Sequence, residues 1–268
     1  MEHDKECLAI RNGVVRKANA LIQKSRFSLT TQQQKIILYL ISQISPQDKD
    51  FCEYEFDIQM FCQVCGIDWK NGKNYIDLKK SIKDISDKSL WVTLESGEET
   101  LMRWIEKPYI NINSGKIRIR LDNDMRPYLL QLKKCYTQYE LLWTLHFKSK
   151  YTIRLYELIK SIHYHELDQY EREYDLDELR KILGAETYKT YQHIKERVLN
   201  PSIKEINQYS DKDVSFEPIK RGRSVRSIRF CIKSKDSIDA LKIRSDIEHD
   251  FGLDQRSLWD ELNIKGLV

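Results

Sequence analysis

Long apolar runs are missing from the 268-residue chain, and glycine and proline are scarce. The longest apolar run is IILYLI at residues 36–41, well below the ~20 residues that a membrane-spanning helix requires. Nine Gly and five Pro leave little room for long linkers or low-complexity segments. The first ten residues, MEHDKECLAI, are acidic where a secretory signal is basic. We therefore expect a cytoplasmic protein with no membrane association and with reduced cysteines.

Signatures of nucleotide and metal sites are also missing. The chain contains neither a G-x-x-x-x-G-K-[ST] nor a G-x-G-x-x-G motif, which disfavours an ATPase or a dinucleotide site. Cys62 and Cys65 form a C-x-x-C pair. A zinc site needs four ligands, and no second pair lies nearby in the sequence. We therefore expect neither a metal nor a cofactor.

One short segment, SIHYHELDQYE, raises the possibility of DNA cleavage. Its triplet His163-Tyr164-His165 is of the kind that binds metal in rolling-circle nickases, where a tyrosine attacks a DNA phosphate. The triplet follows a helical apolar pattern, and residues two apart on a helix point about 200° apart, so these histidines cannot share a metal there. A strand is disfavoured because the neighbouring residues do not alternate. A metal-dependent nickase is therefore only a remote alternative.

The chain contains two copies of one pattern, FDIQMFCQVCGI at 56–67 and YDLDELRKILGA at 174–185. In each copy an Asp precedes apolar residues at helical spacing, as a helix N-cap does, and a Gly then stops the helix. The alignment places Cys65 at a core position and Cys62 on the solvent-facing side. This difference argues further against a shared metal at the two cysteines.

The elements around each copy follow the same order. A helix precedes each, at 30–44 and 150–162, and Thr30 with Gln33 forms a capping box for the former. A second amphipathic helix follows each copy and leads into a strand–turn–strand pattern, at 89–106 and 214–233. Helix, turn, helix and β-hairpin together indicate a winged helix.

The sequence therefore predicts an α+β protein with two tandem winged-helix domains, each a helix-turn-helix plus a β-hairpin wing. The alternative is a single α+β domain with a chance internal match, which the chain length and the matched order of elements disfavour. The expected divisions are a flexible N-terminus (1–13), winged-helix domain 1 (14–137), winged-helix domain 2 (138–237) and a C-terminal tail (238–268).

The second copy concentrates its positive charge, although the whole chain carries a net charge of only +4. Its second helix exposes polar and basic residues that can neutralise phosphates or read base edges. The segment KRGRSVRSIR at 220–229 has five basic residues and no acidic one, and it lies at the predicted wing, where cations suit a phosphate track or a narrow minor groove. The candidate DNA-binding residues here are Lys189, Thr190, Gln192, His193, Lys195, Arg197, Lys220, Arg221, Arg223 and Arg226.

The first copy differs in its charge. Its second helix contributes the candidate DNA-binding residues Lys73, Asn74, Lys79, Lys80 and Lys83. Its wing tip, LESGEET, is acidic and should avoid phosphates. We expect this domain to contact the DNA backbone through its helix or to form a protein interface.

Several long segments together carry a resemblance to a known family. They are VVRKANALIQKSRFSLTTQQQKIILYLISQI (14–44), HFKSKYTIRLYELIK (146–160) and, within 174–207, YDLDELRKILG followed by TYKTYQHIKERVLNPSIKEIN. In this order they resemble plasmid replication initiators of the RepA/RepB/RepE/Pi type, which bind repeated origin sequences called iterons. The match extends over roughly residues 14–235, and the tail after about 238 lies outside it.

The resemblance implies a sequence-specific, bacterial, double-stranded-DNA-binding initiator without enzyme activity. It implies that the protein binds iterons, helps open the origin and recruits host helicase and initiator proteins. It also implies a homodimer, formed through the first domain, that represses the initiator's own gene. The family's recognition helix is rich in basic residues where this sequence has Lys195, Glu196 and Arg197. Glu196 departs from a fully basic trio at these positions and favours a cytosine contact. The alternative function is a winged-helix transcription regulator.

Overall fold

The computed structural model describes residues 13–65, 74–111, 113–162 and 168–251. Within them, two units follow one another along the chain, and each combines a helix pair with an antiparallel hairpin. The predicted α+β class with two winged-helix units is confirmed.

The first unit begins and ends with paired strands. Its elements are β1 (Val14–Ala18), α1 (Asn19–Lys24), β2 (Ser25–Arg26), α2 (Thr31–Ser42), β3 (Tyr54–Asp57), α3 (Ile58–Cys65), α4 (Asn74–Asp87), β4 (Ser89–Thr93), β5 (Glu99–Arg103), β6 (Tyr109–Asn111), β7 (Lys116–Ile119), α5 (Arg126–Leu129) and β8 (Tyr136–Glu140). The hairpin expected at residues 89–106 is β4–β5, whose turn contains Gly97 at φ +87°. Strands β6 and β7 form a further hairpin that pairs with β3, which the sequence analysis did not predict.

The second unit repeats the helix pair and has a longer wing. Its elements are α6 (Lys150–Lys160), β9 (Gln169–Asp175), α7 (Leu176–Leu183), α8 (Tyr191–Ile194), a π-helical turn (Lys195–Leu199), α9 (Asn200–Tyr209), β10 (Lys212–Arg221), β11 (Ser224–Ser234) and α10 (Ser237–Asp250). Strand β11 lies between β10 and β9 in a three-stranded antiparallel sheet. In the first unit β7 lies in the same way between β6 and β3, so the β6–β7 hairpin holds the position of the wing there. The expectation that residues 89–106 form this wing is corrected, because the β4–β5 hairpin pairs with β2 instead. Helix α10 occupies part of the tail whose structure the sequence left open.

Local signals explain where several helices begin and end. Thr30 accepts a hydrogen bond from the backbone N–H of Gln33, whose side chain in turn accepts one from the backbone N–H of Thr30, completing the expected capping box. Asp175 accepts from the first backbone N–H groups of α7. Gly184 ends α7 at φ +66°, a left-handed conformation that glycine adopts without steric cost.

The connection between the units is itself a strand of the first unit. Strand β8 pairs antiparallel with β1, so that Val14 lies opposite Glu140. The expected division between residues 137 and 138 falls inside this strand. The chain then passes through a 3-10 turn (Leu141–Thr144) into α6, so there is no flexible linker between the units within this stretch.

Helix α6 is buried far more completely than one amphipathic face requires. Arg154, in its middle, is 5% exposed and donates hydrogen bonds to the carbonyl oxygens of Ile182 (2.6 Å) and Ser25 (3.2 Å). Its guanidinium also lies 4.1 Å from the ring centroid of Phe27. Arg154 therefore binds the second unit's helix-turn-helix to the first unit.

The expectation that Cys62 faces solvent is wrong, because its side chain is fully buried. Helix α3 packs this face against α2, which removes the thiol from water. Burial raises the pKa of the Cys62 thiol to about 12. The side chain of Cys65, and the residues Gly66, Lys73, His163 and His165, lie outside the described part of the chain. In that part, no helix is both long and apolar enough to span a bilayer, and no three metal-ligating side chains cluster.

Candidate nucleic-acid interface

Helix α8, the π-helical turn and helix α9 follow one another without a break from 191 to 209 and form the second helix of the helix-turn-helix. The middle turn of this helix is wider than an α-helical turn. The backbone N–H of Asn200 donates to the carbonyl oxygen of Lys195, five residues back. Pro201 explains the widening: it has no N–H to donate to Arg197, and its ring would clash with that carbonyl in a regular α-helix. We call this element the recognition helix.

Arg180 fixes the start of the recognition helix. Its guanidinium donates to the carbonyl oxygens of Tyr188 (2.9 Å) and Lys189 (3.0 Å), and it pairs with Asp177 at 2.5 Å. These bonds hold the turn between α7 and the recognition helix. Thr190 then caps the helix by accepting from the backbone N–H of His193 at 3.3 Å. The sequence offered no signal that distinguishes Arg180 from any other helical arginine, although its side chain is only 11% exposed.

The recognition helix presents the expected polar face. Ile194 and Val198 are fully buried, whereas Lys195 is half-buried beside them. The exposed candidates on this helix and its cap are Lys189, Thr190, Gln192, His193 and Arg197. None of the cations Lys189, Lys195 and Arg197 has a carboxylate partner among the described residues.

The second wing, which is the β10–β11 hairpin, turns at Gly222 with φ +63°. The strand register shifts between Ile219 and Lys220, because Lys220 pairs with Val225 while Ile219 pairs with Ser227. Arg226 is the extra residue of this bulge. Bulges change the direction of a side chain, and Arg226 lines the clefts on either side of Asp175.

The four candidate cations of the second wing are exposed, and within the described residues none is paired with a carboxylate; they are Lys220, Arg221, Arg223 and Arg226. Arg229, the fifth basic residue of the segment, differs from them. It pairs with Glu217 (2.9 Å) and Glu173 (3.2 Å). Hydrogen bonds from Ser227 and Arg229 lower the pKa of the Glu173 carboxyl below its usual value. Within the basic segment 220–229, the unpaired cations therefore lie towards the tip of the hairpin.

A cleft of about 540 Å³ separates the start of the recognition helix from the second wing. Lys189 lines it from the turn before the helix, and Lys220, Arg223 and Arg226 line it from the wing. The acidic residues in its wall are already engaged: Asp175 caps α7 and Asp177 pairs with Arg180. The cleft therefore presents free cations, which suits an anionic ligand with regularly spaced charges.

Fewer of the candidate DNA-binding residues in the first unit are free to contact a phosphate. Lys79 and Lys80 are exposed on α4, but Lys83 forms an ion pair with Asp87. The hydrogen bond that Lys83 donates to this carboxylate raises the pKa of Lys83. Asn74 begins α4, although its side chain lies outside the described set. The turn of the β4–β5 hairpin exposes Glu95 and Glu98, in keeping with its expected acidic character.

A helix-turn-helix with an exposed polar face and an adjoining cationic hairpin defines a winged-helix DNA-binding protein. Residues 14–160 match the family described as Initiator Replication protein, WH1, and residues 175–232 match Initiator Rep protein, WH2. The chain belongs to this replication initiator family.

Two known proteins show the likeness at different levels. A replication initiation protein of Escherichia coli is 28% identical over 234 residues, which cover 84% of this chain and 71% of that protein. The crystal structure of Pi initiator protein in complex with iteron DNA is similar in fold, with a TM-score of 0.66. That match covers 85% of this chain and 99% of the other at 17% identity, so it supports the fold.

Proposed function

We propose that this protein initiates plasmid replication by binding tandem iteron repeats in duplex DNA through its second winged-helix unit. The observation that carries the proposal is the cleft where Lys189 meets Lys220, Arg223 and Arg226, all without carboxylate partners in the described structure. The E. coli relative is named a replication initiation protein, and the structure of similar fold holds iteron DNA.

The two elements have different roles in this proposal. The recognition helix enters the major groove, where Gln192, Lys195 and Arg197 reach base edges, while Thr190 and His193 lie at its start. The second wing follows the phosphates, since its arginines and Lys220 surround an exposed turn. Arg180 is a positioning residue, because its hydrogen bond to the Lys189 carbonyl oxygen holds the backbone from which the Lys189 side chain extends.

The first unit serves a second purpose in the proposal. Lys79 and Lys80 contact the DNA backbone, whereas the outer face of the β4–β5 hairpin mediates self-association. Trp91 and Leu101 lie directly opposite each other on this face and are 48% and 51% exposed. A large exposed apolar pair on the face of a sheet is typical of a protein interface. We propose that the resulting homodimer represses the initiator's own gene and that the DNA-bound protein helps open the origin and recruits host helicase and initiator proteins.

Selection of random duplexes at about physiological salt tests the DNA-binding part of the proposal. We expect enrichment of one defined motif, with tandem copies next to the protein's own gene. Absence of any enriched motif would overturn the proposal. A plasmid that carries those copies should replicate only when the gene is supplied in trans. Replication without the gene would instead indicate a transcription regulator.

A further inference from the structure

Glu196 is the one acidic residue on a face of the recognition helix that otherwise carries polar and basic groups. It is exposed, as are Gln192, His193 and Arg197 one turn before or beside it. It lies inside the π-helical turn, opposite the buried Val198 and Leu199. If the helix lies in the major groove, Glu196 must therefore face the base edges or a phosphate.

The carboxylate of Glu196 is not neutralised by a cation. Among the described residues, its hydrogen-bond partner is the side-chain amide of Gln192, one turn earlier on the same face. No lysine or arginine in that part of the chain lies within ion-pair distance of it. Lys195 and Arg197, its immediate neighbours, are left free to face the DNA.

Electrostatics decides which group such a carboxylate can contact. An ionised carboxylate only accepts hydrogen bonds, and phosphates repel it. In the major groove the donors are the amino groups of cytosine N4 and adenine N6. Adenine presents its N7 acceptor directly beside that amino group, which repels a carboxylate, whereas the edge of cytosine presents its donor without an adjacent acceptor.

We propose that Glu196 is a specificity-determining residue that accepts a hydrogen bond from the N4 amino group of a cytosine. This inference rests on the proposed function and goes further by naming the base. In the absence of DNA, the Gln192 amide donates to the carboxylate and holds the Glu196 side chain along the exposed face. The contribution of Glu196 is to base choice rather than to total affinity, since its charge opposes the phosphates.

The test compares binding of the full chain to a matched set of duplexes at one salt concentration. Each duplex carries one substituted base pair of the selected motif, and all four bases are measured at each position. The proteins are wild type, Glu196→Gln and, as a charge-matched control, Glu95→Gln in the exposed turn of the β4–β5 hairpin. Thermal unfolding of each protein confirms that these exposed substitutions leave the fold intact.

We expect wild type to prefer C·G at one position by about tenfold or more. In Glu196→Gln this preference should fall to about twofold or move to A·T, because glutamine suits adenine. Glu95→Gln should keep the wild-type profile even if the lost charge raises its non-specific affinity. An unchanged base profile in Glu196→Gln would refute this inference alone. A wild-type protein without any base preference would overturn the proposed function and this inference with it.

Discussion

Lys17 and Glu157, 140 residues apart in the sequence, form a buried ion pair at the junction of the two units. The Lys17 Nζ and Glu157 Oε1 atoms are 2.6 Å apart, and the two side chains are 5% and 2% exposed. The Tyr139 hydroxyl donates to the same oxygen at 2.6 Å. Burial lowers the pKa of Lys17, an effect that the Glu157 carboxylate opposes. One carboxylate thus joins β1 and β8 of the first unit to α6 of the second.

Breaking this pair from one side should destabilise the protein strongly. Lys17→Met leaves the Glu157 carboxylate buried without its cation, which should reduce the free energy of unfolding by about 3–5 kcal/mol. The double variant Lys17→Met/Glu157→Leu removes both charges and should cost clearly less than the sum of the single variants. Urea unfolding in a double-mutant cycle measures this coupling. Additive costs would show that the two charges do not interact.

The free cations of the second wing should govern the salt dependence of DNA binding. Arg221→Ala/Arg223→Ala removes two unpaired charges, so the slope of log K against log [salt] should become shallower by about 2. Affinity should fall for specific and random duplexes alike. Arg229→Ala is the matched control, since Glu173 and Glu217 already neutralise that arginine. We expect its slope to match wild type, and an equal change in both variants would contradict the assignment.

Two glycines with similar backbone angles should respond differently to substitution. Gly222 has φ +63° and no atom within 4 Å of an added Cβ, so Gly222→Ala should cost only the left-handed strain of about 1–2 kcal/mol. Gly184 has φ +66°, and its Cβ would lie 3.2 Å from the Phe27 carbonyl oxygen. Gly184→Ala should therefore lower the free energy of unfolding further. If chemical denaturation gave the same loss of unfolding free energy for both variants, the Phe27 backbone would move aside without a measurable cost.

The hydroxyl of Tyr191 contributes little to stability. It is buried without a hydrogen-bond partner among the described residues, and burial raises the pKa of Tyr191. Removing an unsatisfied polar atom costs nothing, so Tyr191→Phe should leave the melting temperature unchanged or slightly raised. Tyr156→Phe is the contrasting variant, because that hydroxyl donates to Asp211 at 2.8 Å. It should melt at a lower temperature, and a matching loss in Tyr191→Phe would reveal a partner for that hydroxyl.

His146 should make the packing of the C-terminal helix sensitive to acid. Its ring lies 4.9 Å from that of Tyr209 and 5.1 Å from that of Phe251, and its Nε2 is 3.1 Å from an Asp250 oxygen. Burial lowers the pKa of His146 below its usual value, although Asp250 opposes this shift. The unfolded chain then binds the proton more tightly, so the stabilisation by His146 is complete above about pH 6.5 and is lost as the pH falls.

The comparison of wild type with His146→Gln isolates this effect from other titrating groups. The difference between their melting temperatures should shrink on acidification from pH 7 to pH 5. A difference that is constant across this range would show that His146 binds protons equally in the folded and unfolded states.

Local chemistry allowed much of the fold to be predicted from the sequence. Asp175 and Gly184 mark the ends of a helix by the bonds and angles that each residue type favours, and Thr30 with Gln33 does the same for α2. The second wing followed from alternation around Gly222 and from its cluster of positive charges. These features depend on neighbours a few residues apart, so the sequence alone contains the information.

Features that depend on distant partners could not be predicted in this way. Helical periodicity gives no reason for Arg154 or Glu157 to be buried. Arg154 bonds to Ser25 and Glu157 to Lys17, and both partners lie more than a hundred residues away in the sequence. Cys62 was misplaced because its match in the repeat, Arg180, was expected to face solvent, whereas the Arg180 side chain is only 11% exposed and donates to backbone carbonyls. The availability of the candidate cations likewise depends on cross-strand carboxylates, as Arg229 shows.

The pairing of β8 with β1 fixes the spacing between the two helices that are proposed to contact DNA. Because the segment between the units is held in a sheet and then enters the buried helix α6, the distance between α4 and the recognition helix is set by packing and not by chain flexibility. A rigid spacer fixes the angular phase of two contacts around a DNA helix of about 10.5 base pairs per turn. In the proposed complex, an extra half-turn inserted between the two contacted halves of one repeat would therefore place the second half on the opposite side of the duplex.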